Sequence, residues 1–224
     1  MTTLRASGLT KEYGAGATLV HALRGADLDV SGGELVVVRG SSGSGKTTLL
    51  HLLGGLEPPS TGTVHLDDDE LTGLGEDALL GLRRRRIAYV FQSFGLVPVL
   101  SAAENVEVPL RLLEVEPGER DRRVAAALEA VGLTPHARQR PAELSGGQQQ
   151  RVGIARALVV EPDVLLADEP TGQLDSTTAG VVMDLLADLV RTRGVAAVVT
   201  THDPLLVERA TRVLDLRAGV LAPA

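Results

Sequence analysis

The sequence predicts an α/β fold built on one mostly parallel sheet, and three observations carry that reading. Short apolar runs at 35–38, 87–91, 164–167 and 195–199 alternate with helical patterns. The first run feeds a glycine-rich loop that opens a helix. The third ends in two adjacent carboxylates. With 224 residues, no Pro/Gly/Ser-rich linker and no internal repeat, the chain reads as a single domain.

The run Leu-Val-Val-Val at 35–38 is continuously apolar, as a strand buried on both faces of a parallel sheet must be. Gly40-Ser41-Ser42-Gly43-Ser44-Gly45-Lys46-Thr47 follows and fits the phosphate-loop pattern G-x4-G-K-[ST]. Its glycines let the backbone curl until successive N–H groups face one anion. The helix read over 47–53, beginning Thr47-Thr48, turns its free N-terminal donors and its dipole to the same place. Lys46 would reach the β- and γ-phosphates, and the Thr47 hydroxyl would bind Mg2+. Residues 64–66 read as a short strand turning at Asp67-Asp68-Asp69-Glu70, and 87–91 as another strand. From 102 to about 138 the pattern is helical, with an apolar stripe at 124–131, and is read as an insertion into the sheet domain. The strand at 164–167 runs into Asp168-Glu169-Pro170. Ligands of open α/β sheets bind beyond the carboxyl ends of the strands, the edge where the phosphate loop also lies. Asp168 would there hold Mg2+ through its water shell, and Glu169 would accept a proton from an attacking water. An amphipathic helix at 179–193 and a strand at 195–199 complete the alternation.

Composition narrows the classes. Hydrophobic residues make up 44% and aromatics 2%, so the core must be aliphatic. A net charge of −7 argues against nucleic acid as a partner, which would call for a basic face. The absence of cysteine excludes disulfides and thiolate metal sites. The N-terminus lacks the apolar stretch of a signal peptide, and no run approaches the roughly 18 apolar residues of a membrane span. A cytoplasmic chain is expected, with any membrane link made through a partner.

Leu144-Ser145-Gly146-Gly147-Gln148, followed by Gln-Gln-Arg-Val-Gly-Ile-Ala-Arg156, resembles the signature of ATP-binding cassette (ABC) ATPases. The resemblance covers essentially the whole chain. Tyr13 matches the aromatic that stacks on adenine, Gln92 the Q-loop glutamine, Asp175 in Gly-Gln-Leu-Asp the D-loop, and His202 the switch histidine. It implies a RecA-like phosphate-loop core, a small antiparallel β subdomain and an inserted helical subdomain, with a core lobe of about 1–92 and 160–224 and a helical lobe of about 93–159. It also implies a head-to-tail homodimer with two ATP molecules at its seam. Each ATP would be held by one chain's phosphate loop and capped by the other chain's Ser145, Gly146, Gly147 and Gln148, since a helix start offers free donors to an anion. His202 would hydrogen-bond the γ-phosphate and orient water. Gln92 would sense Mg2+ and transmit that state to a membrane subunit.

Within this group, Val-His-Ala-Leu-Arg-Gly25, Leu-Gly-Gly-Leu56, Arg83-Arg-Arg-Arg86 and Glu104-Asn105-Val106 resemble the macrolide-export and lipoprotein-release subfamily. Four places depart from its pattern: Gln173 and Gly95 stand where Asn is usual, Gly153 where Ala is usual, and 67–69 lacks a turn glycine. None removes a catalytic group, so a competent ATPase is expected. It would sit at the cytoplasmic face of the membrane and drive an integral membrane permease carried on a separate chain. The alternatives are an ABC ATPase that signals across the membrane to cell-wall enzymes, and a soluble ABC ATPase without a transport role. His21, His51, His65 and His136 match no motif and read as structural or solvated, and the arginine run as a solvated face.

Overall fold

The computed structural model describes residues 2–201 and 207–224. In chain order its elements are β1 (Thr3–Tyr13), β2 (Val20–Ser31), β3 (Leu35–Arg39), α1 (Lys46–Leu53), β4 (Thr61–Leu66), β5 (Asp69–Glu70), α2 (Glu76–Arg85) and β6 (Ile87–Val90). There follow α3 (Ala102–Leu112), α4 (Pro117–Ala130), α5 (Gly146–Leu158), β7 (Val164–Asp168), α6 (Ser176–Arg193), β8 (Ala196–Thr201), β9 (Arg212–Arg217) and β10 (Val220–Pro223). One sheet has the order β10-β9-β3-β8-β7-β6, parallel from β9 to β6 with β10 antiparallel at its edge. The other is antiparallel, in the order β2-β1-β4-β5.

The parallel sheet is dry on both faces, and the continuous apolar runs follow from that. On β3, Leu35 and Val37 enter one core while Val36 and Val38 enter the other. On β7, Leu165 and Ala167 oppose Val164 and Leu166 in the same way, and on β8, Ala197 and Val199 oppose Ala196 and Val198. The first core is closed by α3, α4, α5 and α6, the second by α1 and the antiparallel sheet. All five parallel strands therefore end at one edge, and the site is built there.

The helical stretch expected from 102 to 138 is two α-helices. Glu114 takes a positive φ of 56° between them, and Pro117 opens α4 at a position where its missing N–H costs nothing. Helix α6 begins at Ser176, three residues before the expected 179, because Asp175 caps it, and ends at Gly194 with φ 68°. The turn without glycine is made by Asp67 itself, at φ 54°. Its carboxylate accepts from Thr3 N–H at 2.8 Å and pairs with Arg86, which also binds Asp69 at 3.1 Å and Asp163. Arg83 holds the Gly55 carbonyl at 2.6 Å and pairs with Glu76. Half of the arginine run is thus tied into the fold rather than left as a solvated face.

Candidate active site

The loop 40–45 joins β3 to α1 beneath β2. A Cβ at Gly45 (φ 106°) would stand 2.4 Å from the Ala22 carbonyl oxygen, so only glycine fits. A cavity of about 730 Å³ opens over this loop. Ser42, Gly43, Gly45, Lys46, Thr47 and Thr48 line it, together with Gln92, Asp168 and Glu169. Gly40, Ser41 and Ser44 complete the loop outside that lining, with Ser44 buried.

Lys46 is buried, and its Nζ donates to the carbonyls of Gly40 (2.9 Å) and Ser41 (3.2 Å) and lies 3.2 Å from Glu169 Oε1. The Thr47 hydroxyl donates to Asp168 Oδ2 at 2.7 Å. The other oxygen of Asp168 accepts from the Thr200 hydroxyl at 2.6 Å. Glu169 adopts φ 43°, a left-handed conformation that is costly for a residue with a side chain. Surrounding bonds hold it there: its N–H donates to the Thr200 carbonyl at 3.0 Å, and its carbonyl accepts from Gly172 N–H at 3.0 Å. The Gln92 amide lies against the same turn, where a Cβ added to Gly172 would meet it at 3.0 Å. Sequence reasoning missed Thr200. The available signal was a polar residue closing an otherwise apolar strand at the ligand edge.

Ser145 and Gln148 form a capping box at the start of α5. The Ser145 Oγ accepts from Gln148 N–H at 3.3 Å, and Gln148 Oε1 accepts from Ser145 N–H at 2.8 Å. The Gln148 amide nitrogen is 3.1 Å from His136 Nε2, so that histidine is tied to the signature rather than solvated. Gly146 and Gly147 permit close helix packing: a Cβ on Gly147 would stand 2.2 Å from Thr178 Cγ2 on α6. Asp175 caps α6 by accepting from Thr178 N–H (3.0 Å) and from its hydroxyl (2.7 Å), which hold its carboxyl below the usual range. Ser145 to Gln148 and Asp175 lie outside the lining of the cavity.

Tyr13 also stands just outside that lining, paired across the ladder with Val20, which belongs to it. Its hydroxyl donates to Glu57 at 2.7 Å. Burial, and after it the bond to Glu57, pushes the phenol up from its ordinary value. Gly95 takes φ 60°, a conformation glycine and asparagine both tolerate, and its carbonyl accepts from Arg156 at 2.5 Å. Burial among these partners lowers the Arg156 guanidinium from its usual value. His202, expected at the γ-phosphate, lies outside the described residues.

Among the described residues no group of three or more His, Cys, Asp or Glu side chains could cage a metal. The Thr47 hydroxyl and Asp168 carboxylate instead form a pair of hard oxygens under the phosphate loop. That donor set suits Mg2+, which takes one or two protein oxygens and completes its shell from phosphate and water.

A family model described as ABC transporter matches residues 23–172. The macrolide export ATP-binding/permease protein MacB of Nitrosomonas europaea is 46% identical over 213 residues, covering 95% of this chain and 32% of MacB. The chain therefore spans about a third of that relative's length. The lipoprotein-releasing system ATP-binding protein LolD of Legionella pneumophila is 43% identical over 218 residues, covering 97% of this chain and 96% of LolD. Two solved structures of the cassette MJ0796 superpose with a TM-score of 0.88 at 40% identity, over 97% of this chain and 96% of theirs. One is described as the dimer of a bacterial ABC transporter cassette, the other as a dimeric post-hydrolysis state bound to ADP and Pi.

Proposed function

The chain belongs to the ABC transporter family, and from that membership we propose that it is the ATP-hydrolysing subunit of an efflux or lipoprotein-release transporter. It works as a head-to-tail homodimer that drives a separate integral membrane permease. One observation carries the reading: Lys46, Thr47, Asp168 and Glu169 converge on one cavity at the carboxyl edge of the parallel sheet.

The side chains divide the work. The phosphate-loop N–H groups and Lys46 position the triphosphate, and phosphoryl transfer is catalysed chiefly by such positioning and charge stabilisation. Lys46 now faces loop carbonyls and the Glu169 carboxylate, so an incoming γ-phosphate takes the place of those acceptors. Glu169, released from Lys46, accepts a proton from the attacking water. Thr47 and Asp168, with Gln92 beside them, would hold Mg2+, which would supply positive charge to the phosphate oxygens. His202 orients the water on the γ-phosphate. Ser145, Gly146, Gly147 and Gln148 sit away from their own chain's cavity, so a second copy is needed to bring such a helix start to the nucleotide.

The permease engages the groove between β6 and the helices of a lobe of about 93–159. This groove of about 410 Å³ has an apolar floor that includes Ile87, Phe91 and Pro109, with Arg83, Arg84 and Arg156 among its lining. That chemistry suits an apolar helix bearing an acidic side chain. Phe91 adjoins Gln92, so a partner seated there touches the catalytic edge. No described helix is long and apolar enough to cross a membrane, and the permease holds the subunit at the cytoplasmic face.

The Glu169→Gln variant tests the mechanism. It is expected to bind ATP, to dimerise stably with ATP and Mg2+ by size exclusion, and to hydrolyse about 10²–10⁴-fold more slowly. Turnover near that of the parent chain would refute the general-base role. Recovery of a membrane protein on this variant as bait, from detergent-solubilised membranes with ATP, supports the permease. Recovery of nucleic acid instead removes the transport reading.

A further inference from the structure

Beside the nucleotide cavity, three side chains outside the phosphate-binding constellation converge on one carboxylate. Glu57 Oε2 accepts from the Tyr13 hydroxyl at 2.7 Å and faces Lys11 Nζ at 3.4 Å, while Oε1 lies 2.9 Å from His51 Nδ1. Lys11 also donates to the Pro58 carbonyl at 2.7 Å, and its ammonium stands 5.1 Å from the centroid of the Tyr13 ring. The Tyr13 hydroxyl further borders Thr48. Lys11 and Tyr13 come from β1, His51 and Thr48 from α1, and Glu57 from the turn that follows α1. Helix α1 is the one whose first residues are Lys46 and Thr47.

An aromatic ring at a strand end is ordinarily free to turn about its side-chain torsions. Tyr13 is 39% exposed, yet its hydroxyl is bonded and a cation covers the ring. Ordering such a side chain in advance spares that cost when a ligand arrives. The tie also runs to the phosphate-loop helix through His51, so the ring is linked to α1 by two hydrogen bonds in series.

We propose that Glu57 is a positioning residue for the nucleotide base: its carboxylate locks the Tyr13 ring to helix α1 as a preformed stacking platform, so that base and triphosphate meet one rigid unit. This rests on Tyr13 being the platform for the base. Glu57 touches neither the reacting atoms nor the phosphates, so its effect falls on nucleotide affinity and not on the chemical step.

The test compares ATP with inorganic tripolyphosphate, which has no base, in the full chain with Mg2+. ATP affinity and KM, kcat, and the inhibition constant of tripolyphosphate against ATP turnover are measured for Glu57→Ala, Glu57→Gln and Tyr13→Ala. Glu57→Ala is expected to weaken ATP about three- to tenfold. Its kcat and tripolyphosphate inhibition should stay those of the parent, which also reports an intact phosphate loop. Glu57→Gln, which keeps an oxygen for the Tyr13 hydroxyl, is expected to recover most of the loss. If Tyr13→Ala weakens ATP while Glu57→Ala does not, the brace is overturned and the platform stands. If neither weakens ATP, the platform reading itself falls. Equal weakening of ATP and tripolyphosphate by Glu57→Ala overturns the proposal in favour of a general role in α1.

Discussion

Asp168 and Glu169 are held by a residue with no motif of its own. The Thr200 hydroxyl donates to Asp168 at 2.6 Å, and the Thr200 backbone carbonyl takes the N–H of Glu169. Thr200→Val keeps the shape and the backbone bond but removes the hydroxyl. A buried hydrogen bond to a charged group lost this way costs about 1–3 kcal/mol. Steady-state kinetics should show kcat down about tenfold with KM for ATP little changed, since that factor corresponds to about 1.4 kcal/mol of transition-state positioning. An unchanged kcat would remove Thr200 from the site. The residues legible in the sequence were those whose chemistry fixes a contiguous pattern: Gly40 to Thr47, and Asp168 with Glu169. Thr200 and Glu57 were hidden because their partners are remote, 31 residues away for Thr200 and Glu169, and 44 for Tyr13 and Glu57. No spacing rule connects such pairs before the chain is folded.

At the scale of elements, the junction of α5 with α6 matters most. Gly147 is required by packing within its own chain, because a Cβ there would strike Thr178 Cγ2 at 2.2 Å. Gly147→Ala is therefore expected to destabilise the isolated chain by roughly 1–3 kcal/mol in denaturant unfolding. Adding Thr178→Ser removes the struck methyl yet keeps the hydroxyl that serves Asp175, and should restore most of that loss. Failure of this second change to rescue would show that the clash is relieved elsewhere. The buried strands were readable because both faces of the parallel sheet are dry. Strands β1 and β2 were not readable singly: their pairing is broken by register shifts at Ala6/Leu9 and Lys11/Glu12, which spoil any period of two. The break between α3 and α4 was missed although the apolar stripe begins only at 124, because the turn is made by Glu114 rather than a glycine and Pro117 opens α4 at a position a helix tolerates. The early start of α6 was missed because Asp175 was read for its D-loop role and not as a helix cap.

At the scale of the molecule, the division of labour follows from two cores on one sheet. The phosphate loop is anchored on the core closed by α1, and the signature helix on the core closed by α3 to α6. The signature residues are thereby kept off the cavity of their own chain, and assembly becomes part of the proposed chemistry. The aliphatic composition has an optical consequence as well. The chain has no tryptophan and two tyrosines. Tyr89 is largely buried and stacked on Phe91 at 5.8 Å, whereas Tyr13 stands at the rim of the cavity. Ultraviolet emission from the protein is consequently tyrosine light, with one emitter sheltered and the other where a base would settle. ATP should quench a fraction of that emission that Tyr13→Phe abolishes, while tripolyphosphate leaves it unchanged. The unlabelled protein would then serve as its own indicator of occupancy, readable in a cuvette during turnover.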